Sequence, residues 1–292
     1  MAERAALEFE GVSKRYPSGF ALREASFSLP EGYVMGMVGR NGAGKTSLVR
    51  IAMGLARADS GRARLLGVDS REARARAEVG FVYDENCYPE SLSPLEIGLM
   101  LRLAYPNWDK ARYCALLAEY ELPARRPIKE LSRGMKTKLA LACALARRPR
   151  LLIMDEPTSG LDPVFRAGII DALRQEMAAE GLSILFSTHI TQDLERFADM
   201  LCFIDSGRII FCEEYEEAMA RYAVAKGPLS ILCPALREKL IGIKEGPYGF
   251  EALVGDKEGL AREAPRGLAL EAARVDDIML HTAISAEEGG AR

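Results

Sequence analysis

The sequence predicts an α/β protein: a mainly parallel sheet that presents a phosphate-binding loop and is interrupted by a helical insert. Three observations lead there. The continuous apolar run of residues 33–38 passes into a glycine-rich turn and then into a helical pattern. A second apolar run, residues 151–154, ends in two acids, Asp155 and Glu156. From there strand-like runs alternate with helical periodicity, the arrangement that produces parallel strands.

Residues 7–12 and 25–29 alternate apolar and polar positions, as half-buried strands do. Residues 33–38 lack that alternation and suit a strand buried on both faces. From 45 to 58 the apolar residues recur at helical spacing. Residues 91–148 form the helical insert. In it, Ser93-Pro94-Leu95-Glu96 is a capping box with proline at the first helical position. Asn107-Trp108-Asp109 opens a second helix, which runs to about Tyr120, and Pro123 and Pro127 mark the connection after it. A third helix opens after Ser132 and ends before Pro149. Strands return at 151–154 and 183–187, and between them Asp162-Pro163 starts a helix that Gly181 closes. Ser206-Gly207 turns a hairpin between residues 200–204 and 208–212.

Beyond Gly227 the pattern changes. Gly246-Pro247-Tyr248-Gly249 separates two strand-like stretches, residues 275–280 suit a short helix, and 285–292 read as a loose tail. The expected division is 1–226 as the main domain, with a helical subdomain at about 91–148, and 227–292 as a small appendage and tail.

Composition narrows the function classes. At 292 residues, 49% hydrophobic and 28% charged, the chain can bury one large core with room for an appendage. A net charge of -3 leaves no basic footprint, so no nucleic-acid partner is expected. Charges interrupt every apolar run before the roughly 20 residues a membrane-spanning helix needs. The opening MAERAALEFE lacks the apolar segment of a signal peptide. Work at a membrane is therefore expected from its cytoplasmic side. Six cysteines and two histidines show no metal-ligand spacing and read as scattered thiols and imidazoles.

Gly39-Arg40-Asn41-Gly42-Ala43-Gly44-Lys45-Thr46 fits the phosphate-loop pattern G-x-x-x-x-G-K-[ST]. Glycines let backbone amides turn inward around phosphate oxygens, and the following helix points its positive end at them. Gly39, Asn41, Gly42, Ala43, Gly44 and Ser47 are the candidate cradle, Lys45 the partner of the β- and γ-phosphates, and Thr46 a Mg²⁺ ligand. A buried strand that ends in carboxylates delivers them to the sheet edge where phosphate and metal sit. Asp155 is the candidate Mg²⁺ ligand through water, and Glu156 the general base.

Leu131-Ser132-Arg133-Gly134-Met135 resembles the signature of ABC ATPases, usually L-S-G-G-Q. Around it, Asp155-Glu156-Pro157-Thr158, Ser159-Gly160-Leu161-Asp162 and Ser187-Thr188-His189 resemble, in family order, the second nucleotide motif, the D-loop and the switch histidine. Tyr16 stands where the family places an adenine-stacking aromatic. The resemblance covers about residues 5–225. It implies a P-loop NTPase core with an antiparallel β subdomain, a helical signature subdomain and a small C-terminal appendage. It also implies ATP and Mg²⁺ as cofactors and ATP hydrolysis as the activity. Two such domains pair head to tail, each ATP lying between one phosphate loop and the partner's signature. The second ATPase subunit is then either another copy or a paralogue. Ser132 and Gly134 begin a helix and so offer donors and a positive dipole end to a γ-phosphate. Asp162 belongs to the same nucleotide interface, and His189 is expected to touch the γ-phosphate.

The motifs also depart from the family pattern. Arg133 replaces a glycine and Met135 a glutamine; Arg133 either adds charge near the phosphate or faces solvent. At the Q-loop position stands Asp84, either a ligand of Mg²⁺-bound water or a solvated loop acid. Residues 105–109 (Tyr-Pro-Asn-Trp-Asp), Leu-Ser-Arg-Gly-Met at 131–135 and residues 186–191 resemble ATPase subunits of ABC-2-type exporters in Gram-positive bacteria. They are closest to the subgroup encoded beside GntR-type regulators and linked with responses to cell-wall antibiotics. Val275-Asp276-Asp277-Ile278-Met279 resembles the terminal helix of such subunits. This implies a separate ABC-2-type transmembrane permease and a cytoplasmic location, peripheral on the inner face of the cell membrane. The permease is expected near residues 84–108, where Tyr105 and Trp108 are either groove residues or packing. Two other readings stay open: a soluble ABC ATPase without a membrane partner, such as an assembly-scaffold ATPase, and a nucleotide-gated regulator that hardly turns over.

Overall fold

Alternating apolar positions near the start of the chain build an antiparallel sheet, described here from a computed structural model covering residues 4–83 and 87–290. Its strands are β1 (Ala5–Arg15) and β2 (Ala21–Pro30) and, beyond β3 (Val34–Val38) and α1 (Lys45–Ala52), β4 (Ser60–Leu65) and β5 (Val68–Asp69). The order is β2-β1-β4-β5. Leu7, Phe9 and Val12 face inward from β1, and Phe9 stacks on Phe27 of β2 at 4.7 Å between ring centroids. The helix expected to reach residue 58 stops at Ala52, because Gly54 turns the chain with a left-handed φ of 67°.

The second sheet contains β3, β6 (Val79–Val82), β7 (Leu151–Asp155), β8 (Ser183–Thr188), β9 (Met200–Asp205) and β10 (Arg208–Glu214) in the order β10-β9-β3-β8-β7-β6. β9, β3, β8, β7 and β6 run parallel. Every residue of β3, β7 and β8 is buried, which accounts for the apolar runs Val34–Val38, Leu151–Met154 and Ile184–Phe186 at their centres. Between β6 and β7 lie α2 (Pro94–Ala104), α3 (Lys110–Glu119) and α4 (Arg133–Leu145), and α5 (Pro163–Glu180) joins β7 to β8. The capping box forms as expected: the Ser93 amide donates to the Glu96 carboxylate at 2.8 Å. Asp109 caps α3 by accepting from the Arg112 amide at 2.8 Å, and the buried Tyr113 hydroxyl donates to the Pro94 carbonyl at 2.7 Å, tying α3 to α2.

The chain divides into two compact units, Met1–Cys212 and Glu213–Arg292. The boundary lies earlier than the expected 226. The reason is β11 (Ala223–Gly227), which follows α6 (Tyr215–Arg221) and pairs with strands of the second unit. That unit continues through α7 (Pro234–Arg237), β12 (Leu240–Gly246), β13 (Gly249–Val254), α8 (Lys257–Arg262), β14 (Ala269–Ala272) and α9 (Val275–Gly290). Its antiparallel sheet has the order β12-β13-β11-β14, with the expected Gly-Pro-Tyr-Gly turn between β12 and β13. The expected tail from residue 285 is instead a continuation of α9 through Gly290. Val275, Ile278, His281 and Ala283 are buried along that helix and carry it past the short apolar patch seen in sequence. Among the described residues, no helix is long and apolar enough to cross a membrane.

Candidate functional site

Parallel strands deliver their following loops to one edge of a sheet. Here β3 is followed by the glycine loop, β7 ends in Asp155 and runs on into Glu156, and β8 runs on into His189. Tyr16, Asn41, Gly42, Gly44, Lys45, Thr46, Ser47 and Glu156 line one pocket of about 500 Å³, together with Ser18 and Phe20. That volume is ordinary for a small-molecule site. The Gly44 backbone, at φ 119°, enters α1 in a conformation that side-chain-bearing residues rarely adopt. Ala43 is buried behind the pocket, with its carbonyl accepting from the Gly207 amide at 2.9 Å.

Charge in the pocket is tightly paired. Lys45, only 5% exposed, donates to the Gly39 carbonyl at 2.6 Å and pairs with Glu156 Oε1 at 3.2 Å. The other carboxylate oxygen, Glu156 Oε2, meets His189 Nδ1 at 2.6 Å and accepts from the His189 amide at 3.3 Å. Glu156 sits in the left-handed region at φ 51°, a strain of about 1–3 kcal/mol for a non-glycine residue. The Ser187 carbonyl, accepting from the Glu156 amide at 3.0 Å, helps to hold that conformation.

Asp155 is buried, and accepts from the Ser187 hydroxyl at 3.0 Å and from the Thr46 hydroxyl. Burial pushes its carboxyl above the ordinary aspartate range, and the nearby Glu156 charge adds to the push. The two hydroxyl donors and Lys45 pull the other way. A buried carboxylate beside a hydroxyl offers hard oxygen ligands that suit Mg²⁺, whose cation would relieve the cost of burial. No cluster of three or more His, Cys, Asp or Glu side chains is placed to hold a metal among the described residues. Thr46 and Asp155 thus fit a cation that takes its remaining ligands from phosphate and water.

The signature residues lie elsewhere. Ser132, Gly134 and Asp162 do not line the pocket. Ser132 caps α4 by accepting from the Met135 amide at 3.2 Å. Asp162 caps α5, accepting from the amides of Val164 at 3.0 Å and Phe165 at 3.1 Å. Gly134 is buried against Phe165, where a Cβ would come within 2.7 Å of the ring. Arg133 is exposed yet lies over the D-loop, 2.6 Å from where a Cβ on Gly160 would stand. Asp84 lies outside the described residues.

Tyr16 stands at the pocket rim, 5.9 Å from the Phe20 ring and 5.2 Å below the Lys14 ammonium. Sequence reasoning missed Phe20 and Ser18 as pocket walls, and it missed Ser187 as the partner of Asp155. Phe20 reaches the pocket because the Tyr16 amide donates to its carbonyl at 2.9 Å, closing a turn. Ser187 stands level with Asp155 through the parallel β7–β8 register, which no local pattern reveals. Of the two aromatic candidates, Tyr105 lines a groove of about 690 Å³ with Phe81, Tyr88 and Leu101, under the Arg147 guanidinium at 3.8 Å. Trp108 packs on Tyr113 at 4.9 Å and does not line the groove.

Similarity to known proteins agrees with this geometry. The ABC transporter family profile matches residues 22–159. The chain is 36% identical over 253 residues to the Nod factor export ATP-binding protein I of Paraburkholderia xenovorans (strain LB400), covering 82% of each. It is 29% identical over 217 residues to the ABC transporter ATP-binding protein YtrB of Bacillus subtilis (strain 168), covering 74% of each. A solved ATP-binding subunit of an ABC transporter superposes with a TM-score of 0.67 at 26% identity, over 74% of this chain and 92% of that one. The chain belongs to the ABC transporter family. Within it, this is the ATP-binding cassette, the part that hydrolyses ATP for a transporter.

Proposed function

We propose that the chain drives export through a separate ABC-2-type permease, closing head to tail on a second cassette with ATP and Mg²⁺ between them. The observation that carries the catalytic part is the position of Glu156, bridging Lys45 at 3.2 Å and His189 at 2.6 Å. Lys45 also donates to the Gly39 carbonyl of the glycine loop, and His189 reaches the pocket through Glu156. A triphosphate arriving there competes for them: Lys45 turns to the β- and γ-phosphates and His189 to the γ-phosphate. Glu156 is thereby released to orient water and take its proton. Mg²⁺, held by Thr46 and through water by Asp155, would neutralise developing charge on the phosphate oxygens. Tyr16 and Phe20 form the wall against which an adenine ring would stack.

Closure needs a second cassette, either another copy or a paralogue, because Ser132 and Gly134 sit at a helix start outside the pocket. The positive end of α4 suits the γ-phosphate of an ATP held by the partner. The groove at Tyr105 supports a permease contact on the cytoplasmic face of the membrane. Beside it α2 exposes Leu99, Met100 and Leu103, the last of them 91% accessible, an apolar face suited to contact with a partner. One relative is named for Nod factor export, which supports export as the direction. The motifs at residues 105–109, 131–135 and 186–191 support the GntR-associated subgroup.

Glu156→Gln removes the base yet keeps the pocket's shape, and we expect it to trap an ATP-bound dimer that elutes earlier in size-exclusion chromatography. Hydrolysis by this variant at the parent rate would refute the role of Glu156. The permease assignment is checked separately by co-purification from detergent-extracted membranes, which Tyr105→Glu should abolish without lowering ATP binding.

A further inference from the structure

Cys202 and Cys212 lie on the neighbouring strands β9 and β10 and pack on the same core cluster. Phe203 meets Phe211 across the hairpin at 5.7 Å on the other face. The next residue away from the turn on each strand is a cysteine, so the two thiols face one another. They are in hydrogen-bond contact, and this contact together with burial holds the Cys202 thiol far above its ordinary value. Cys202 is fully buried, whereas Cys212 also opens onto a cleft of about 630 Å³. Arg23 and Arg208 line that cleft against a single carboxylate, Glu24. A thiol at the wall of an accessible, net-positive cleft, backed by a second thiol, is the arrangement of a reactive and a resolving cysteine.

We propose that Cys212 and Cys202 form a peroxide-responsive dithiol, in which Cys212 is attacked first and Cys202 closes the disulfide. The Cys212 thiolate sulfur attacks one oxygen of a hydroperoxide. The O–O bond breaks, Cys212 becomes a sulfenic acid, and the departing oxygen leaves as water or alcohol after taking up a proton. Cys202 sulfur then displaces the sulfenic hydroxyl, which leaves as water with the Cys202 proton, and the S–S bond forms. Two thiols are oxidised by two electrons and one peroxide bond is reduced; a small thiol reductant reverses the step. The hairpin touches the nucleotide site. Its Gly207 amide donates to the Ala43 carbonyl at 2.9 Å, and the Ile204 carbonyl lies 2.3 Å from where a Cβ on Gly39 would stand. Closing the disulfide therefore bears on the phosphate loop, and ATP turnover falls by at least about fivefold, the low end of ordinary coupling between sites.

The test treats the full chain with hydrogen peroxide and maps its thiols by mass spectrometry without reductant. A Cys202–Cys212 linked peptide is expected, formed about tenfold faster than oxidation of the exposed Cys114 or Cys233. Cys202→Ala should stop at a dimedone-trapped sulfenic acid on Cys212, and Cys212→Ser should leave Cys202 unmodified. Oxidation of Cys212 no faster than Cys114, or absence of the linked peptide from the wild-type chain, overturns the dithiol. Turnover that is unchanged in the oxidised chain overturns the coupling to the phosphate loop, and turnover restored by dithiothreitol supports it.

Discussion

The phosphate-loop end of the sheet and the signature end of α4, both proposed to offer oriented donors to phosphate, stand in opposite states of completion. At the loop every charged group already has a partner: Lys45 is 5% exposed and shared between Gly39 and Glu156, which is shared in turn with His189. At the signature, Ser132 and Arg133 are exposed; Ser132 caps its own helix and Arg133 lies over the D-loop at Gly160. The difference shows which half of the site one chain can organise alone. Asp155 and Glu156 at the end of β7 and Lys45 at the start of α1 are fixed by the sheet and its glycine loop, so in the proposed cycle they hold one another until phosphate displaces them. A helix start can be pre-ordered by its cap, and under the proposed function its charge complement is a phosphate held by the second cassette.

Removing Lys45 should break the comparison most severely. Lys45→Ala leaves the phosphate charge without its main cation, and turnover is expected to fall by about 10²–10³ or more in a steady-state phosphate-release assay. Parent-level turnover would mean that the loop is not the phosphate site. His189→Ala is the next step down. It takes one of two partners from Glu156, so a loss of about 10–10² is expected with ATP affinity nearly kept. Equal losses in affinity and turnover would instead assign His189 to ground-state binding.

Asp155 sharpens the contrast through pH. Below the ordinary aspartate value of 3.8, folded and unfolded chains both hold the proton and its burial costs little. As pH rises past that value the unfolded chain ionises first, so stability falls until the folded carboxyl, with its raised value, ionises too. Asp155→Asn should therefore raise the Tm of the nucleotide-free chain at neutral pH, have little effect on it in acid, and abolish Mg²⁺-dependent turnover. An unchanged Tm at neutral pH would show that the Thr46 and Ser187 hydroxyls already offset the cost of burial.

Legibility in the sequence follows the same division. The loop, the paired acids and the capping box are local devices, each needing consecutive residues with particular backbone or charge properties, and they appear where the pattern puts them. β4 was missed because Ser60-Gly61-Arg62-Ala63-Arg64-Leu65 offers only two buried apolar side chains. The expected boundary at 226 cuts through β11 because the partners of that strand, β13 and β14, lie far along the chain. Register is non-local in the same way for the Asp155–Ser187 contact, which depends on β7 pairing with β8; Cys202 and Cys212 lie in the hairpin that the sequence does show, but read as scattered thiols until its two strands are aligned residue by residue.

The smallest expected effect tests the signature itself, because Ser132 has two separable duties. As the cap of α4 it satisfies the Met135 amide, and Ser132→Ala should cost about 1 kcal/mol of stability in urea unfolding. Asparagine caps about as well as serine, so Ser132→Asn should keep stability near the parent value. If Ser132 also donates to a phosphate held by the second cassette, Ser132→Asn lowers turnover several-fold while nucleotide binding to the lone chain is untouched. If the residue is only a cap, turnover follows stability across both variants, and Ser132→Asn behaves like the parent. The pair of substitutions thus separates a donor aimed outward from one that closes its own helix.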